Sequence, residues 1–143
     1  MTALHVTFRV GEAEYAIPAT EVLHLDSYDG ATRVPGVPPY VAGLVQVRGR
    51  VVPVVDLRAR FGLPATTRTS DHRVIVVQIG SRIAGLLADS ARDVMQLDDT
   101  KFERPPEMIE RQSQGFVRAV VSVAKRLILL VDVPRVIGEE LPQ

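Results

Sequence analysis

The chain of 143 residues contains no cysteine and no tryptophan, and its aromatic complement is four Phe and three Tyr. Without cysteine there are no disulfides, no thiolate metal ligands and no thiol nucleophile. Charge of one sign is not in excess either, since 17 Lys plus Arg face 17 Asp plus Glu. A nucleic-acid or ribosome-associated barrel needs a cationic surface that releases counterions and aromatic platforms for bases, and both are short here. The longest apolar run is the five residues 127–131, far below the roughly 20 that span a bilayer. The first ten residues lack the basic start and apolar core of a signal peptide. No direct membrane insertion and a cytoplasmic location are therefore expected.

What is abundant is β-branched aliphatic. The chain has 23 Val and 7 Ile against 13 Leu, with ten Gly and ten Pro. Stiff β-branched side chains suit a pleated surface, and Gly and Pro punctuate it with turns. At 46% apolar and 24% charged residues, the composition is that of a compact globular chain.

Periodicity places many short strands. Residues 4–10 alternate, with Leu4, Val6, Phe8 and Val10 on one face, and Gly11-Glu12 turns into a second strand at 13–17. A helical turn at 18–21 leads to a strand at 22–28, read with His24 and Asp26 exposed opposite Leu23 and Leu25. After a Pro-rich loop come strands at 43–48 and 51–55 around a Gly49-Arg50 turn. Asp56 then caps a short helix that stops at Gly62. Residues 63–71, polar and Thr-rich, read as a linker. Beyond it lie strands at 73–79 and 83–87, a polar turn at 89–93, a strand at 94–97 and a long loop at 98–114. Strands at 115–123 and 127–131 follow, with a Lys125-Arg126 turn, and Asp132 caps a last short helix before Gly138.

The pattern is an internal duplication. Residues 6–11 parallel 75–80, Gly43 to Gln46 parallel Gly115 to Arg118, and Val54-Val55-Asp56 with Gly62 parallels Leu130-Val131-Asp132 with Gly138. Five short strands per copy do not bury both faces of an open sheet, so each unit is expected to curl into a small barrel. Each barrel is too small to stand alone. The expected fold is all-β with short helices: one domain over 4–140 made of two five-stranded barrels, from units of about 4–63 and 73–140, with strand exchange between them left open.

Candidate chemistry is sparse. His5, His24 and His72 have no metal-ligand spacing and read as exposed polar positions, so neither metal nor cofactor is expected. No nucleophile elbow, Walker loop or dinucleotide fingerprint occurs. Asp56 and Asp132, one per copy, invite comparison with paired catalytic aspartates. However, Leu57-Arg58 and Val133-Pro134 follow them where such enzymes have Thr or Ser and then Gly. Helix capping explains both more simply, so no catalytic residue is assigned. The hairpin Arg48-Gly49-Arg50 reads either as a solvated turn, with Gly49 supplying positive φ, or as a guanidinium held out at an interface.

The stretch Gly43-Leu44-Val45-Gln46-Val47-Arg48-Gly49-Arg50-Val51-Val52-Pro53-Val54-Val55-Asp56-Leu57-Arg58-Ala59-Arg60-Phe61-Gly62 resembles the signature of CheW-type coupling proteins of bacterial chemosensory arrays. Phe8 to Gly11, Glu14 to Ile17, Arg33-Val34-Pro35 and Pro39 to Gly43 carry it across most of the chain. Gln46 stands where the family usually has Asn, and His24 where Glu is common. The resemblance implies SH3-like barrels and an adaptor joining chemoreceptor signalling tips to the regulatory domain of a CheA-type histidine kinase. It carries receptor contact to Val22, His24, Gly43 and Arg48. An excised regulatory domain of the kinase is a further reading, disfavoured by the Asp-Leu-Arg signature. No receiver domain is expected after Glu140.

Overall fold

The computed structural model describes residues 1–138, with Arg92 described by its backbone alone. Glu140, the end of the second expected unit, lies outside the described residues. Ten strands form two five-stranded sheets: β1 Thr2–Val10, β2 Ala13–Pro18, β3 Val22–Ser27, β4 Val41–Val47, β5 Arg50–Asp56, β6 Arg73–Ile79, β7 Arg82–Ala88, β8 Ser90–Asp98, β9 Val117–Val123 and β10 Arg126–Val131. Short helices α1 Leu57–Arg60, α2 Glu107–Gln112 and α3 Val133–Ile137 lie between or after them, with 3-10 turns at Ala19–Glu21 and Asp99–Lys101. None of these helices is long and apolar enough to cross a membrane.

Each sheet takes strands from both copies. The first barrel runs β8-β1-β2-β10-β9 and the second β3-β6-β7-β5-β4. The opening hairpin of each copy thus completes the barrel of the other. The two orders match strand for strand, down to the parallel pairs β10 with β2 and β5 with β7. Their irregularities match as well. A bulge between Val41 and Gly43, opposite Val55 and Val54, recurs where Val117 and Ala119 oppose Val131 and Leu130. That register makes Gly43 the counterpart of Ala119, so the sequence parallel between Gly43 and Gly115 is displaced by four residues. The backbone confirms the shift, because Asp56 N–H donates to Tyr40 O and Asp132 N–H to Phe116 O, each at 2.8 Å.

The main core lies between the barrels, where Val6, Phe8, Ile17, Val55, Leu57, Ile75, Leu86, Val131 and Ile137 meet. Smaller clusters fill each interior: Ala16, Leu97, Val121, Ile128 and Leu130 in the first barrel, and Val47, Val54, Val74 and Val76 in the second. Strands central to a sheet are covered on both faces. This overturns the exposed reading of His5, which is 4% exposed because β1 pairs with both β2 and β8. Leu4, read as a core position, is 48% exposed. His72 is also buried: its Nδ1 accepts Thr69 N–H at 3.0 Å and its Nε2 lies 3.7 Å from Asp89 Oδ1. Of the region 89–93, expected as a turn, residues 90–93 belong instead to β8, whose polar residues are tolerated because it is an edge strand. The expected long loop at 98–114 contains α2, which starts after Pro106 with Glu107 and Glu110 in its first turn.

Two arginines of α1 bind the barrels together. Arg58 donates from Nε to Asp89 Oδ1 at 2.9 Å and from Nη2 to Oδ2 at 2.7 Å, while Gly11 N–H donates to Oδ2 at 2.8 Å. Arg60 stacks 3.8 Å over the Tyr40 ring and donates to Val136 O at 2.9 Å. Asp56 Oδ1 accepts Arg58 N–H at 3.0 Å, and Asp132 Oδ1 accepts Arg135 N–H at 3.2 Å. Replacing Asp56 by alanine frees that amide, and a loss of about 1 kcal/mol is expected in a denaturant melt. An unchanged midpoint would remove the capping role.

Candidate functional site

β3 and β4 are the two edges of the second sheet, so the barrel has a seam between them. The seam is spanned where Thr32 and Leu44 exchange backbone hydrogen bonds, each at 2.8 Å. On β3, His24 lies opposite Val76 and Asp26 opposite Val74, both interior valines, whereas Leu25 lies opposite Ile75 of the core between barrels. His24 and Asp26 therefore turn toward the open end of the second barrel and are half-buried. Leu23 and Leu25, at 44% and 39%, are the exposed side chains, the reverse of the sequence expectation. Alternation defines two faces, but only the neighbouring strands decide which one meets water.

The β4–β5 hairpin closes over this mouth. Its turn is Arg48-Gly49, one residue earlier than read from the sequence, with φ of 52° and 79°. Such a two-residue turn demands positive φ at both central positions and favours Asn-Gly. Arg48 therefore sits in a left-handed conformation that costs a non-glycine residue about 1 kcal/mol. Its Nε approaches Asp26 Oδ1 at 4.0 Å, and His24 Nε2 stands 3.4 Å from Asp26 Oδ2. Neither His24 Nε2 nor Asp26 Oδ2 has a hydrogen-bond partner, although both atoms are buried. A cavity of ≈ 570 Å³ opens on one side, lined by Asp26, Tyr28, Thr32, Gln46 and Arg48 among others. A notch of ≈ 250 Å³ on the other side is lined by His24, Arg48, Arg50 and Val76 with three further apolar residues.

Of the four residues singled out for receptor contact, His24 and Arg48 come together at this mouth. Val22 lies across the β3 bulge, opposite Val77, and packs on the core between barrels. Gly43 is beneath the loop that precedes β4: a Cβ there would lie 2.1 Å from Thr32 O, and its φ is +142°. Gly43 thus shapes the backbone behind the hairpin and presents no side chain of its own. Gly49 has open space around its Cα. Two members of the constellation, Asp26 and Arg50, are not among the residues that the resemblance assigned to receptor contact. Their signal was available, because Asp26 shares a strand face with His24 and Arg50 flanks the same turn as Arg48.

Two pseudo-equivalent five-stranded barrels with exchanged strands define a two-barrel all-β protein, and His24, Arg48 and Arg50 gather at the mouth of the second barrel. Residues 4–141 match the family model of the CheW-like domain. The chain is 34% identical over 135 residues to the chemotaxis protein CheW of Rhizobium meliloti (strain 1021), covering 94% of this chain and 87% of that protein. It is 33% identical over 138 residues to the chemotaxis protein CheW of Bacillus subtilis (strain 168), covering 96% and 88%. Among solved structures it is similar to the crystal structure of the scaffolding protein TtCheW from Thermoanaerobacter tengcongensis, at a TM-score of 0.86 and 26% identity, over 97% of this chain and 90% of that one. The chain belongs to the CheW-like family, and its function is that of a chemotaxis coupling adaptor.

Proposed function

We propose that this adaptor acts without catalysis, by joining the cytoplasmic signalling tips of chemoreceptors to the regulatory domain of a CheA-type histidine kinase at membrane-bound receptor arrays. The observation that carries the receptor-facing part is Arg48, an exposed guanidinium at the tip of a two-residue turn with φ of 52°. A rigid hairpin holding a planar five-donor group suits recognition of a helical partner along the barrel. His24 lines the notch beside Arg48, Gly43 lets the backbone behind the hairpin pack closely, and Val22 stands on the strand of His24 at the margin of the apolar core.

The test is co-sedimentation with a receptor signalling-tip fragment and the kinase together. Arg48→Glu reverses a charge at the partner-facing rim without touching the core. Its melt should match wild type, while receptor association falls about tenfold, equivalent to roughly 1.4 kcal/mol. Undiminished association of a folded Arg48→Glu protein would refute the assignment of this surface.

A further inference from the structure

The shared plan of the barrels allows corresponding positions to be compared, and their mouths differ in charge. Arg50 and Arg126 open β5 and β10 at equivalent places in register. In the first barrel Arg126 is neutralised by Glu14 of β2, with Nε to Oε1 at 3.0 Å and Nη2 to Oε2 at 2.6 Å. The position equivalent to Glu14 on β7 is Ile83. Arg50 accordingly has no carboxylate within 4 Å among the described residues. The counterpart of His24 is Asp93, opposite Thr7 as His24 is opposite Val76. Where the first barrel places acid, the second places an imidazole.

Among the described residues the notch has no carboxylate in its lining; Asp26 is ion-paired with His24 and Arg48 beside it, and Asp29 lines the cavity on the far side of Arg48. The buried atoms His24 Nε2 and Asp26 Oδ2 face each other without completing a hydrogen bond. With those two atoms turned to each other, the groups left to meet an incoming ligand in the notch are the Arg48 and Arg50 guanidiniums and the part of the imidazole that lines it. We propose that the notch between Arg48, Arg50 and His24 receives a carboxylate side chain of the partner protein, and that protonation of His24 strengthens its hold. The inference rests on the receptor-facing reading of Arg48 and adds the charge of the group that the receptor must present.

Among the described residues, the charged groups beside His24 are Asp26 from its own strand, Arg48 from the hairpin and Arg50 from β5, and β6 contributes Val76 to the notch. An incoming carboxylate is held more strongly by an imidazolium than by a neutral imidazole, so binding is linked to proton uptake and is reciprocally strengthened by acidification. Histidine is the side chain that makes such a change between about pH 5 and 8.

The experiment is calorimetric titration of the full chain with a receptor signalling-tip fragment at about pH 6 and about pH 8, at constant ionic strength. Wild type should bind about three- to fivefold more tightly at the lower pH. His24→Gln should bind equally at both, and Arg50→Gln should bind about threefold more weakly at both while keeping the pH dependence. Titration in buffers of different ionisation enthalpy should show net proton uptake by wild type, a readout that survives if His24→Gln does not fold. Tight binding with no proton uptake, a pH dependence retained in His24→Gln, or wild-type affinity in Arg50→Gln would each overturn the carboxylate notch while leaving the adaptor in place. Failure of the folded wild-type chain to bind the tip at either pH would overturn the receptor-facing reading together with the notch.

Discussion

Gly43→Ala is expected to lower stability by about 3 kcal/mol, combining left-handed backbone strain with overpacking. The added Cβ would sit 2.1 Å from Thr32 O and 2.7 Å from its carbonyl carbon, backbone atoms that do not yield as a flexible side chain does. The paired Thr32–Leu44 hydrogen bonds must lengthen or break, and the loop spanning the seam must move. Receptor association should fall as a secondary result, because that loop lines the cavity beside Arg48. Denaturant melts separate this from Arg48→Glu, which should leave stability unchanged. A Gly43→Ala protein within about 1 kcal/mol of wild type would disprove the close-approach account.

The second large effect is at Asp89. Its carboxylate accepts from Arg58 Nε and Nη2 and from Gly11 N–H, joining α1 and the turn after β1 to the bend between β7 and β8. Asp89→Ala should cost about 2 kcal/mol at neutral pH, a figure already reduced for the partial exposure of the pair. Burial pushes the Asp89 carboxyl upward, but the Arg58 guanidinium, the Gly11 amide and His72 outweigh it and hold it below the ordinary carboxylate range. A depressed folded-state value gives stability that is complete above the unfolded carboxylate pKa of about 3.9 and is lost as pH falls below it. Chemical denaturation across the acid range should therefore show a flatter profile for Asp89→Ala than for wild type. Parallel profiles would mean that Asp89 does not contribute through its charge.

Much of this architecture was legible in local pattern. The alternation of Val6, Phe8 and Val10 and the Val-rich hairpin around Gly49 give strands whose partners are their sequence neighbours. The duplication was visible because Gly and Asp landmarks stay in order. The burial of His5 and His72 was not visible, since His5 is covered by β8 and His72 meets Asp89, partners distant in sequence from the residues they cover. The outward face of β3 was misread for a related reason: His24 and Asp26 look like solvent residues until Val74 and Val76 are found opposite them. The Arg58–Asp89 pair joins residues 31 apart, with no local signature to announce it. Strand exchange also leaves no local trace, because a copy has the same alternation whether its first hairpin completes its own barrel or its twin's.

That exchange has a consequence for how the molecule is held together. Neither half of the chain owns a barrel, so a nick in the 63–72 linker leaves each barrel still pinned by strands from both fragments. One copy of the repeat by itself would have to find its missing strands in a second molecule, and two such molecules would close the same ten-stranded body as a two-fold dimer. Fusing them turns a concentration-dependent encounter into an intramolecular closure. The two copies also need not carry the same charges: Arg126 has its Glu14, whereas Ile83 stands at the position equivalent to Glu14 in the barrel of Arg50.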